Sequence, residues 1–216
     1  MGIEKNIMNK IKRALISVSD KKNLKPLLRI LRKFKIEIVS SGGTYKKIKN
    51  LGFDCIEVSN FTEFPEILEG RVKTLHPKIH AGILYKRKNK KHLKNIKENN
   101  LNTIDLVIVN FYPFEEVIQN TSNHEKIMEN VDIGGPTMVR AAAKNYNYVT
   151  VITSINQYDE LLNQLNKNKG STTLEFRKKL SLNAFSETAY YDSLIANYFN
   201  KITNSYFPQK KIFHAN

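Results

Sequence analysis

The chain's 216 residues, 41% hydrophobic and 25% charged, suffice for one large domain or two small ones, and no apolar run approaches the roughly 20 residues of a membrane span. One cysteine, Cys55, excludes an internal disulfide, and no long apolar stretch follows the N-terminal charges, so a cytoplasmic, non-membrane protein is expected. The formal net charge of +15 raises nucleic acid as a partner, but 28 lysines against 7 arginines, accompanied by Asn and Ile throughout, read as a compositional drift that draws in anionic small molecules instead.

Residues 1–12 form a basic lead-in. Residues 14–18 are a short apolar run, the pattern of a buried strand, and lead into Ser17-Val18-Ser19-Asp20-Lys21. Asp20 is a good N-cap for a helix starting near Lys21, and Leu24, Leu27, Leu28 and Leu31 give that helix one apolar stripe. A second strand, residues 36–39, ends in Ser40-Ser41-Gly42-Gly43-Thr44 and feeds a helix to about Asn50, with Gly52 as a left-handed cap. A third strand covers residues 55–58, with Cys55 a structural residue in it. This βαβαβ alternation predicts an α/β fold with a parallel sheet and right-handed crossovers.

Residues 70–82, Gly70-Arg71-Val72-Lys73-Thr74-Leu75-His76-Pro77-Lys78-Ile79-His80-Ala81-Gly82, have neither helical nor alternating periodicity and read as an ordered loop. Arg71 and Lys73 point the same way in an extended segment, which suits a phosphate or a developing oxyanion; a solvated basic loop is the alternative. Residues 86–97 read as a solvated helix face or loop. Residues 104–110 are the best central strand, and they place Asn110 and Tyr112 at the edge where parallel sheets bind ligands, although Tyr112 could equally be a packing residue.

A short helix over residues 125–129 precedes Asp132-Ile133-Gly134-Gly135-Pro136-Thr137, where Pro136 fits the first turn of a helix continuing to Lys144. Asp132 could simply cap that helix, and Lys144 sits where the helix dipole favours a cation. A strand over residues 148–152, a helix over 157–165, a longer helical region over 174–199 and a basic tail over 201–216 complete the chain.

His76 and His80 lack a third metal ligand and are separated by Pro77, so no metal site is expected. Dinucleotide, Walker and GxSxG fingerprints are absent. What remains is a set of proton-handling groups at strand and helix ends, Lys73, Tyr112, Asp132 and Lys144, beside two phosphate-suited turns.

Ser17-Val18-Ser19-Asp20-Lys21, Ser41-Gly42-Gly43-Thr44, Gly70 through Pro77, Asn110-Phe111-Tyr112-Pro113-Phe114, and Asp132 through Asn145 together resemble, in order, the IMP cyclohydrolase half of the bifunctional purine biosynthesis protein family. The resemblance covers about residues 13–200. It implies a single domain of methylglyoxal synthase-like fold, a mostly parallel sheet flanked by helices, plus C-terminal helices. The implied reaction closes 5-formamidoimidazole-4-carboxamide ribotide to IMP and water, without cofactor or metal. Ser17, Ser19, Lys21, Ser41, Gly42, Gly43 and Thr44 would hold the 5′-phosphate and ribose. Arg71, Lys73 and Thr74 would line the base end, with Lys73 donating to the formyl oxygen. Asn110 and Tyr112 would orient the carboxamide. Asp132 and Lys144 would form a proton-transfer pair, with the amides of Ile133, Gly134 and Gly135 against the substrate.

In that family a folate-dependent formyltransferase domain follows C-terminally and holds most of the dimer contact. Residues 201–216 would be a tail or the start of a linker to it, formyltransferase activity is not expected from this chain alone, and a homodimer is left open. The competing expectations are a methylglyoxal synthase, a nucleotide-binding regulatory domain of the same fold without turnover, and a nucleic-acid binder with strongly salt-dependent affinity.

Overall fold

The computed structural model describes residues 8–203. In chain order the elements are β1 (Asn9–Lys10), β2 (Arg13–Val18), α1 (Leu24–Lys33), β3 (Glu37–Ser40), α2 (Gly42–Asn50), β4 (Ile56–Glu57) and α3 (Val58–Thr62), followed by a single 3₁₀ turn at Leu68–Gly70. Then come α4 (Pro77–Leu84), α5 (Lys90–Glu98), β5 (Leu106–Asn110), α6 (Phe114–Asn120), α7 (His124–Glu129), α8 (Gly134–Lys144) and β6 (Thr150–Ile152). A second 3₁₀ turn, Ile155–Gln157, leads into α9 (Tyr158–Lys167), β7 (Ser171–Thr172) and α10 (Leu174–Ile202).

Five strands form one parallel sheet in the order β4-β3-β2-β5-β6. The chain therefore steps outward from β2 to β4 on one side, then returns to β5 on the other side of β2. With right-handed crossovers, these opposite directions put the connecting helices on opposite faces. Both faces of β2 and β5 are covered, so their apolar residues run on without alternation: Ala14, Leu15 and Ile16 are buried, as are all of Leu106 through Val109. Helix α8 packs on both α4 and α10, α8 and α10 lie against the β5–β6 side, and α1 packs on α9. The alanines Ala141, Ala142 and Ala143 let α8 sit close to its neighbours.

Some expected boundaries move for identifiable reasons. Asp20 does not cap α1: its carboxylate accepts the Lys22 N–H at 2.9 Å in a local turn, Asn23 adopts the left-handed region (φ 56°), and the helix begins at Leu24. The strand expected through Val58 ends at Glu57, and Val58 opens α3. The segment expected as a loop over 70–82 turns helical from Pro77, which occupies the first turn of α4, while His76 stays extended and its Nδ1 accepts the Lys78 N–H. The lysine-rich segment forms α5, capped by Asn89 and burying no residue. Helix α6 has no counterpart among the expected elements. Part of the basic lead-in is structured, since β1 pairs antiparallel with β7. The remaining lead-in, residues 1–7, and the tail from residue 204 lie outside the described residues.

The lower rim of the sheet is fixed by one buried carboxylate. Asp105 accepts the N–H groups of Lys12 and Arg13 and pairs with Arg87 at 2.6 Å. Arg87 also lies over the rings of Tyr85 and Tyr148. Asp105→Ala would strand a mostly buried guanidinium and two backbone donors, so it should lower stability by about 3–5 kcal/mol, read as a lower urea midpoint.

Candidate active site

The strand order reverses between β2 and β5, and a cleft of about 710 Å³ opens beyond their carboxyl ends. All of the expected site residues except Lys144 line it. Five segments distant in sequence supply the walls: the end of β2, the start of α2, the stretch between the first 3₁₀ turn and α4 that carries Arg71, Lys73 and Thr74, the end of β5 with Tyr112, and the run from the end of α7 to the start of α8.

Asn110 binds two of these walls together. Its Oδ1 accepts the N–H groups of Ser19 (2.6 Å) and Asp20 (3.0 Å), and its Nδ2 donates to the Asp20 carbonyl at 3.0 Å. Most of the side-chain amide is thus engaged in shaping the loop after β2, so its expected part in orienting a ligand is limited to one remaining N–H. Thr44 does the same between α2 and β2: its hydroxyl accepts the Val18 N–H at 3.0 Å and donates to the Val18 carbonyl at 2.9 Å. Lys21 folds back so that its Nζ reaches the Ser19 carbonyl at 3.0 Å.

At the start of α2, Ser41 is extended and makes no side-chain cap hydrogen bond. The first N–H groups of that helix have no intrahelical acceptor, and Gly42 takes φ +53°, a conformation that favours glycine. With Lys21 beside Gly43, this corner suits an anion. The start of α8 forms the opposite wall. Asp132 Oδ1 accepts the Gly135 N–H at 2.8 Å, so Asp132 is a capping carboxylate and a cleft residue at once. A Cβ on Gly134 would lie 2.6 Å from Thr74 Oγ1, and one on Gly135 would lie 2.4 Å from Asp132 Oδ2. Glycine at 134 lets that wall close on Thr74, and glycine at 135 leaves room for the Asp132 carboxylate.

The titratable groups interact across the cleft. Burial raises the Asp132 carboxyl above its ordinary range, against the lowering effects of the Gly135 N–H, the Lys73 ammonium and the Tyr112 backbone N–H. The Tyr112 phenol is raised by burial and by the carboxylates of Asp132 and Glu66. Lys73 stands 3.8 Å from Glu66. Arg71 pairs with Glu129 at the exposed mouth, where such pairs contribute little.

Lys144 is placed elsewhere. It is exposed at the C-terminal end of α8, about 15 Å along the helix from the end that meets the cleft. The expected Asp132–Lys144 pair is therefore not formed. Of the two histidines weighed as a metal pair, His76 caps α4, and burial lowers the pKa of His80. Among the described residues no group of three or more His, Cys, Asp or Glu side chains is arranged to hold a metal ion.

Two contributors were not visible in the sequence. Glu66 belongs to no periodic or motif pattern. Tyr191, on α10, reaches back 59 positions: its hydroxyl accepts the Asp132 N–H at 2.8 Å and donates to the Asn130 carbonyl at 3.4 Å. Burial pushes its phenol up to about 12, so it remains a hydroxyl donor, and its ring packs on Phe111 and Phe114.

Two outcomes follow from this arrangement. Tyr191→Phe leaves the Asp132 N–H without its acceptor and should cost about 1–3 kcal/mol in urea unfolding. Asp132→Asn keeps an oxygen for the Gly135 N–H and removes a carboxylate disfavoured by burial. A carboxyl whose folded pKa is raised contributes stability below its unfolded pKa and loses it as pH rises through the folded value. The variant should thus melt higher than the parent at alkaline pH, and the difference should shrink on acidification, as followed by thermal unfolding across pH.

Residues 23–137 match the MGS-like domain family, and residues 142–216 match the family described as AICARFT/IMPCHase bienzyme. The Bifunctional purine biosynthesis protein PurH of Listeria monocytogenes (serovar 1/2a) is 47% identical over 207 residues, covering 95% of this chain and 40% of that protein. The PurH of Bacillus subtilis is 47% identical over 201 residues, covering 93% of this chain and 39% of its own length. This chain thus spans about two fifths of the curated relatives it matches. Among solved structures, that titled "Crystal structure of ForH" superposes with a TM-score of 0.78 at 31% identity, covering 88% of this chain and 99% of its own. The MGS-like match extends over more than half of the residues, and the sheet, the helices and the cleft at the strand ends accord with it: the chain belongs to the MGS-like domain family.

Proposed function

We propose that the chain is an IMP cyclohydrolase, closing 5-formamidoimidazole-4-carboxamide ribotide to IMP with loss of water, the last step of de novo purine biosynthesis. The observation that carries this reading is the meeting of Lys73, Tyr112 and Asp132 in one cleft with the N-termini of α2 and α8. The likeness to proteins named for purine biosynthesis supports it. In this reading the folate-dependent formyl transfer that makes the substrate is not carried out by this chain alone.

The chemistry joins a poor nucleophile, a carboxamide nitrogen, to a poor electrophile, a formamide carbonyl. Holding the two together can supply up to about 7–11 kcal/mol in well-oriented systems, and a positioned proton-transfer group about 10²–10⁴-fold. In this reading the 5′-phosphate sits at the α2 corner with Ser17, Ser19, Lys21, Ser41, Gly42 and Gly43. The base lies between Thr74 and the amides of Ile133, Gly134 and Gly135, with Arg71 at the mouth. The carboxamide nitrogen bonds to the formyl carbon. Lys73 donates a proton to the formyl oxygen, and Asp132, whose affinity for a proton is raised by burial, takes one from the attacking nitrogen. The Tyr112 hydroxyl orients the carboxamide. The resulting carbinolamine then expels its hydroxyl while the former formamide nitrogen loses its proton. The departing water thus carries the formyl oxygen and one hydrogen from each nitrogen. Lys144, outside the cleft, takes no part.

The test is to add the ribotide to purified chain and follow IMP by ultraviolet absorbance, without folate or added metal. Turnover is expected, with kcat lowered at least about 100-fold in Lys73→Ala and Asp132→Asn and near-normal in Lys144→Ala. Tight binding of IMP with no turnover would instead support a nucleotide-binding regulatory domain.

A further inference from the structure

Lys73 lies in a wall between two hollows. One is the main cleft. The other is a small recess behind it, lined by Ser41, Glu57, Phe64 and Glu66 among others. Lys73 borders both, whereas Glu66 borders only the recess. Its Oε1 is 3.8 Å from Lys73 Nζ.

The surroundings of that ammonium are otherwise unfavourable to it. A Cβ on Gly42 would lie 3.5 Å from Lys73 Nζ, so the ammonium stands at the N-terminus of α2, the positive end of the helix. Lys21 occupies the neighbouring position at Gly43. An ammonium in that corner is repelled toward open solvent unless a negative group holds it. Asp132 faces it across the cleft, and Glu66 stands behind it.

The backbone leaves room for the carboxylate. Gly70 has φ +91°, and a Cβ there would lie 2.3 Å from Glu66 Oε1 and 3.2 Å from Lys73 Nζ. The positive φ favours glycine at this turn, and the space a side chain would enter is occupied by the ends of Glu66 and Lys73.

We infer that Glu66 is a positioning residue: from the recess behind the cleft it holds the Lys73 ammonium at the positive end of α2 and sets its reach toward the bound ligand. That this reach governs turnover rests on the cyclohydrolase reading; that Glu66 holds Lys73 does not.

The experiment therefore has two arms, both comparing the parent with Glu66→Gln, which keeps shape and loses charge, and with Glu66→Asp, which keeps charge and shortens the arm. In the first arm, brief treatment with a small acylating reagent is read by peptide mass spectrometry. Lys73 should react several-fold faster in Glu66→Gln and less so in Glu66→Asp, while Lys144, exposed and distant, serves as the unchanged internal control. Equal Lys73 labelling in parent and Glu66→Gln overturns the inference whether or not the chain turns over. In the second arm, Glu66→Gln should lower kcat about 10- to 100-fold with KM and melting temperature little changed, and it should cost nothing further in a Lys73→Ala background. An equal loss in that background would mean that Glu66 acts otherwise than through Lys73, which overturns the inference. Absence of turnover in the parent would sink the cyclohydrolase reading and leave the labelling arm to decide Glu66 alone.

Discussion

The carboxamide of Asn110 spans the gap between the ends of β2 and β5, and the cleft takes its shape from that bond set. A side chain that accepts two backbone N–H groups and returns one to a carbonyl leaves its loop few alternatives. Ser19 is held by it, Lys21 follows in the same turn, and Tyr112 lies two residues beyond it. The Thr44 hydroxyl makes an equivalent tie to α2, so the anion corner and the proton-handling wall are anchored to the same pair of central strands.

Across that frame the charges are arranged in opposition. Cations and the N-terminus of α2 gather where a phosphate would sit, and the Asp132 carboxylate stands at the start of the facing helix, α8, under a burial cost that raises its hold on a proton. A site of this kind holds negative charge against α2 and moves protons at Asp132, with Lys73 beside both. Tyr191 contributes to this from α10 by fixing the backbone of Asp132 without entering the cleft.

Much of this was legible because the features are local. The apolar runs of β2 and β5, the hydroxyl–glycine turn before α2 and the glycine–proline start of α8 each announce themselves within a few residues, and motif order carried them to one site. Lys144 shares an uninterrupted motif with Asp132, but a helix separates in space what a motif joins in sequence, and the C-terminal end of α8 points away from the cleft. Asp20 misled because a carboxylate that can cap a helix can equally close a turn upon itself. Glu66, Tyr191 and the β1–β7 pairing depend on partners far along the chain, for which composition and periodicity hold no signal.

Helix α5 buries none of its residues and lies apart from the cleft, yet it is the densest run of lysine in the chain. Its charge can act on a distant anion only through solvent, over about 8–10 Å at ordinary ionic strength, whereas the backbone N–H groups of α2 act at contact. Added salt should therefore separate two properties of this molecule: how often an anionic ligand arrives, and how long it stays.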